Sequence, residues 1–82
     1  MVWFWMRGDE QLQLETGYDE DTLEFVVTVK APDGHCETER FENIDLFRKR
    51  LIVLERQLEA RRWRNSGPPL FVPEGFPNRR LR

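Results

Sequence analysis

His35 and Cys36 are the chain's one imidazole and one thiol, and they are neighbours in sequence. A thiol beside an imidazole is the raw material of nucleophilic catalysis and of zinc binding. Adjacent residues of an extended strand point to opposite faces, however, so these two are not placed to act on one another. Zinc would also need ligands from carboxylates or from a second subunit. The reading is therefore no catalytic residue and no metal ligand, with Cys36 as a small buried side chain and His35 as a solvated one.

The acidic run Asp19-Glu20-Asp21 attracts hard cations in principle, but it lacks the ligand, glycine and glutamate spacing of a dedicated calcium loop. It reads as a solvated charge cluster. Gly8, Gly17, Gly34, Gly67 and Gly75 stand apart from one another, so no glycine-rich phosphate cradle exists and no cofactor is expected.

The cations are more suggestive. Arg48, Lys49, Arg50, Arg56, Arg61, Arg62 and Arg64 cluster within one segment, and Arg79, Arg80 and Arg82 follow near the end. Such a set can neutralise phosphates, and Arg50, Arg61, Arg64, Arg79, Arg80 and Arg82 are the residues a nucleic-acid-binding accessory protein would use. On a helical wheel the cations do not form one stripe, and the acidic half of the chain would repel a duplex. Nucleic acid is thus the alternative reading.

The elements that position these groups follow from periodicity. Val2 to Arg7 is an apolar run with Trp3, Phe4 and Trp5, which suits a pleated surface. A Gly8-Asp9 turn leads into Gln11 to Tyr18, where Leu12, Leu14, Thr16 and Tyr18 alternate with polar residues. A third strand, Leu23 to Lys30, places Leu23, Phe25, Val27 and Val29 on one face. Ala31-Pro32-Asp33-Gly34 turns it into His35 to Phe41.

Two registers compete for that hairpin. Pairing Ala31 with His35 suits the turn and puts Glu37 and Glu39 beside Val27 and Val29. Pairing Ala31 with Gly34 suits burial and puts Cys36, Thr38 and Arg40 there.

Asn43 caps the helix that follows, in which Ile44, Phe47, Leu51, Leu54 and Leu58 make a stripe about 80° wide. Arg61, Arg62 and Arg64 complement its negative end, and Asn65-Ser66-Gly67-Pro68-Pro69 is expected to stop it. The fold class is α+β: a four-stranded antiparallel meander with one long amphipathic helix across one face, in the order ββββα. Residues 1–66 form a single domain, and 67–82 a Pro-rich tail, partly ordered or disordered.

This assembly leaves apolar residues over. Trp3 and Trp5 lie opposite Val2, Phe4 and Met6 on the first strand, and one helix covers only one sheet face. On the helix, Leu46, Val53 and Ala60 recur at seven-residue spacing away from the main stripe, with Ile52 and Trp63 on a neighbouring flank. Trp3, Trp5, Leu46, Val53, Ala60 and Trp63 are accordingly the candidate partner-binding residues, and self-association as a homodimer or a protein partner would cover them. Leu70, Phe71, Val72 and Phe76 in the tail offer another source of cover.

Size and charge point the same way. A chain of 82 residues buries only about 60% of its unfolded surface, so its core is thin. Its formal net charge of −2 conceals three basic and eleven acidic residues in 1–43, seven and three in 44–64, and three and one in 65–82. The run Met1 to Met6 is too short for a membrane span or a secretory signal, so no membrane partner is expected. A single cysteine in so small a domain favours a reducing compartment, the cytoplasm. The function expected is a small non-enzymatic interaction module.

Overall fold

The computed structural model describes residues 1–68. Five strands and one helix follow in the order β1 (Val2–Arg7), β2 (Glu10–Asp19), β3 (Glu24–Lys30), β4 (Cys36–Phe41), α1 (Ile44–Ala60) and β5 (Arg64–Asn65). They form one antiparallel sheet in the spatial order β4-β3-β2-β1-β5 with α1 on one face, an α+β fold. The meander and helix agree with the sequence expectation, and the short fifth strand is an addition. The expected tail, with Leu70, Phe71, Val72 and Phe76, lies largely outside the described residues.

Turn chemistry sets the registers. Arg7 pairs with Glu10 across Gly8-Asp9, and Gly8 sits at φ +63°, where a side chain would be strained. In the β3-β4 hairpin the Ala31 amide donates to the His35 carbonyl at 2.8 Å and the Gly34 amide to the Ala31 carbonyl at 3.0 Å. Gly34 then adopts φ +92°, the left-handed bulge of a three-residue loop. This settles the open register in favour of turn chemistry: Val29 faces Glu37 and Val27 faces Glu39. Burial does not overrule the turn, because Glu39 finds a cation on the helix and Glu37 stays exposed.

Leu23 departs from expectation. It lies in the β2-β3 turn at φ +58°, 64% exposed, rather than on the buried strand face. The turn is held by Asp19, whose Oδ1 accepts the Asp21 and Thr22 amides at 2.9 and 3.3 Å. Arg40 reaches from β4 to Asp19 Oδ2 at 3.1 Å, and this hydrogen bond is the main reason the Asp19 carboxyl is held below its usual range.

The helix-covered face carries the core. Trp5, Leu12, Leu14, Val27, Leu58 and Trp63 are buried together, with Trp3, Val29, Phe41, Phe47, Leu51 and Leu54 packed around them. Near the start of α1, Phe47 stacks on Phe25 at 5.1 Å between ring centroids and tilts against Phe41 at 6.3 Å. Ile44, the first residue of the stripe, remains 41% exposed. Asn43 Oδ1 accepts the Asp45 and Leu46 amides at 2.7 and 3.3 Å, as an N-cap does.

The helix ends earlier than its stop signals suggested. Arg62 takes φ +69°, its amide donating to the Glu59 carbonyl at 3.0 Å while the Trp63 amide donates to the Leu58 carbonyl at 2.9 Å. These two bonds define a Schellman termination made without glycine. Its cause is Trp63. One more helical turn would leave that indole on the outward face, whereas the left-handed residue swings it into the core.

The magnitudes decide the matter. A left-handed non-glycine residue costs about 1–2 kcal/mol, and an indole burying about 150–250 Å² gains about 4–6 kcal/mol at 25 cal/mol per Å². Glycine removes the cost and keeps the gain. Arg62→Gly is therefore expected to stabilise the fold by about 0.5–1 kcal/mol in a urea melt. A neutral or destabilising result would contradict this account of the helix end.

Past Trp63 the chain returns along β1, with Arg64 opposite Met6, Asn65 opposite Trp5, and the Ser66 amide donating to the Phe4 carbonyl at 2.8 Å.

Candidate functional site

Three of the six residues marked as partner-binding candidates belong to the core region. Trp5 and Trp63 are 2% and 6% exposed, and Trp3 is half-buried against the same cluster. The expectation that Trp63 sits on a helix flank is corrected by the helix ending at Ala60. The sheet faces are also the reverse of the sequence surplus: Trp3 and Trp5 lie beneath α1, and Val2, Phe4 and Met6 point to the other face, where Val2 is buried and the other two are half-buried.

Leu46, Val53 and Ala60 remain, and all are exposed. Together with Ile52 they leave Leu46 56%, Ile52 48% and Val53 42% accessible on the helix side opposite the core stripe. Successive residues turn by about 100°, so Arg56, Lys49, Ala60, Val53, Leu46 and Gln57 fall in one arc about 100° wide. That arc holds two cations and three apolar side chains and no carboxylate, and Asp45 and then Ile52 lie just beyond its Arg56 edge. Glu55 and Glu59 lie towards the opposite edge of the helix, with Arg48 between them.

The ion pairs show which charges are already used. Arg7 pairs with Glu10, Lys30 with Glu15, Arg40 with Asp19 and Glu24, and Arg50 with Glu39. The last is a two-pronged contact, with Arg50 Nε 3.0 Å from Glu39 Oε1 and Nη2 2.9 Å from Oε2. Among the described residues, Arg48, Lys49, Arg56, Arg61, Arg62 and Arg64 make no ion pair. Basic charge therefore concentrates on the outward side of α1 and just beyond its end.

For the nucleic-acid alternative, this separates the candidates. Arg50 is engaged by Glu39, Arg61 and Arg64 are exposed, and Arg79, Arg80 and Arg82 lie outside the described residues.

His35 and Cys36 are both exposed, which corrects the expectation of a buried thiol. Cys36 opens β4 opposite Lys30, so its side chain shares the face away from the helix with Thr38 and Arg40. His35 Nε2 lies 2.9 Å from Glu37 Oε2, and that hydrogen bond, reinforced by the carboxylate charge, raises the imidazole above its usual 6.5. Among the described residues no group of three or more His, Cys, Asp and Glu side chains is arranged to hold a metal ion.

Three concavities adjoin the sheet, one of them an open hollow of about 790 Å³ lined by Arg7, Asp9, Pro32 and Arg61. A groove of about 390 Å³ opens where α1 crosses the hairpin end, floored by Leu12, Val29, Leu58 and Trp63 and rimmed by Glu37 and Arg61. A hollow of about 310 Å³ surrounds Gly17, between Val2, Glu15, Asp19 and Val26. None of the three assembles a nucleophile with a base. No helix of the described residues is long and apolar enough to cross a membrane.

A scan against protein-family models matches none, and searches of curated proteins and of solved structures return no significant match.

The feature that sequence reasoning missed is the asymmetry of the outward arc, cations along one side and aliphatics along the other. Its signal was present in the wheel positions of Lys49 and Arg56, which had been read only as possible phosphate ligands.

Proposed function

We propose that this chain is a small non-enzymatic interaction module that docks a macromolecular partner on the outward face of α1. The observation that carries the reading is the exposure of Leu46 and Val53, with Ala60 beside them, on the side of the helix that the sheet does not use. Contiguous exposed apolar surface rimmed by polar residues marks interaction sites, and Ile52 is exposed further round the helix, beyond Arg56. A reducing compartment, the cytoplasm, is part of the same proposal and rests on the single cysteine.

Polar substitution separates a docking role from a folding role. The double variant Leu46→Ser, Val53→Ser is expected to keep the parent's urea stability within about 0.5 kcal/mol per site. It is also expected to lose association with amphipathic helical peptides, measured by fluorescence anisotropy. A stability loss above about 2 kcal/mol would assign these residues to the core and overturn the proposal.

A further inference from the structure

We propose that the outward face of α1 is built to receive an acidic amphipathic helix, an apolar stripe flanked by carboxylates, in preference to a second copy of this chain. The inference rests on the docking role proposed above and adds the partner's chemistry.

The first argument is the composition of the arc. Lys49 lies one turn from Leu46 and Val53, and Arg56 one turn from Val53 and Ala60, all exposed and with no carboxylate between them. Neither cation has an ion-pair partner among the described residues, although Lys30, Arg7, Arg40 and Arg50 all do. A docked carboxylate would meet charges that no internal pair has first to release.

The second argument is symmetry. Two copies packed antiparallel across Val53 bring the same helix flank together, which sets Lys49 of one protomer against Arg56 of its partner. Packed parallel about a two-fold axis, that flank meets the opposite one, which carries Gln57 and Arg50. Cations thus confront cations at the centre of the first arrangement, which is unfavourable across an interface, and in the second they meet Gln57 and another arginine. The one carboxylate on the Lys49 and Arg56 flank, Asp45, sits at the helix start, about two turns from Val53. An acidic helix reverses the sign of each contact.

The third argument distinguishes protein from nucleic acid. A phosphate backbone would neutralise Lys49 and Arg56 but would leave Leu46, Val53 and Ala60 in water. A helix with apolar residues at steps of three and four covers them and presents carboxylates on its flanks.

The full chain should be titrated against three labelled probes: a Leu/Glu helical peptide of about 18 residues, or five turns, its Leu/Lys counterpart, and a short DNA duplex. The expected result is binding of the Leu/Glu peptide alone, weakening with added salt. Lys49→Glu, Arg56→Glu should lose about tenfold in affinity for that peptide and gain about tenfold for the Leu/Lys one. Lys49→Gln, Arg56→Gln should fall between, and circular dichroism checks that each variant is folded.

Equal binding of both peptides, a preference for the duplex, or a dimer in sedimentation velocity that Val53→Ser dissolves would each overturn the acidic partner. The first and third of these would leave the docking face standing. Failure of both peptides to bind a folded, monomeric chain would overturn the docking face as well.

Discussion

Replacing Trp63 by alanine is expected to cost about 3–5 kcal/mol, the largest single loss this fold can suffer outside its strands. The indole is 6% exposed and packs with Trp5, Leu12, Leu14, Val27 and Leu58. The Arg7 guanidinium lies 4.4 Å from its ring centroid, and Arg7 Nη1 also donates to the Arg61 carbonyl at 3.2 Å. One side chain therefore closes the core, receives a cation and fixes the strand that follows. A domain of this size has about 4–12 kcal/mol in total, so the variant is expected to lose about a quarter of its stability or more. A urea melt followed by circular dichroism checks this, and a loss under about 1 kcal/mol would contradict the placement of Trp63. Trp63→Phe, which keeps most of the apolar area, should cost distinctly less.

Arg50→Ala is the second large effect, expected at about 1–2 kcal/mol. Its guanidinium holds both oxygens of Glu39 with side chains 33% and 38% exposed, so part of the charge is shielded from water by the helix. Removing the cation leaves that carboxylate beside Val27 without its partner. The loss is smaller than for a fully buried pair because solvent still reaches both groups. Replacing both, Arg50→Met with Glu39→Val, is expected to return stability to the parent value or above it, since an apolar pair needs no compensation for lost hydration. A double-mutant cycle measures the coupling. Additive single effects would show that the contact contributes nothing.

These two predictions mark where the sequence was informative and where it was not. The strands at Val2–Arg7 and Glu24–Lys30 and the start of α1 were legible because alternation, a 3.6-residue stripe and an N-cap asparagine are local signals. The β3-β4 register was legible only as a choice, since turn chemistry and burial disagreed; a contact 11 residues away, Arg50 on Glu39, makes the turn's choice tolerable. The helix end was misread for the same kind of reason. Arg62 carries no local stop signal, and only the long-range burial of Trp63 accounts for its left-handed backbone. Strand β5 is two residues, Arg64 and Asn65, of poor strand propensity, and its pairing is imposed by that same anchor.

The candidate site divides in the same way. Leu46, Val53 and Ala60 were visible from seven-residue spacing, and the structure leaves them outward. Trp5 and Trp63 read as surplus because a sequence does not reveal which face of β1 the helix covers, nor that the helix stops before Trp63. Arg50 was grouped with free cations because its partner sits on the strand whose register was open.

The outward arc of α1, and not the sheet or the grooves, is the surface proposed to meet a partner. Amide and methyl chemical-shift mapping of the full chain during addition of the Leu/Glu peptide tests it most directly. The account predicts saturable shifts at Leu46, Lys49, Val53, Arg56 and Ala60, with His35, Glu37 and Gly17 unmoved. Shifts centred on the Glu37 and Arg61 groove or on the Gly17 hollow, with the arc silent, would contradict it.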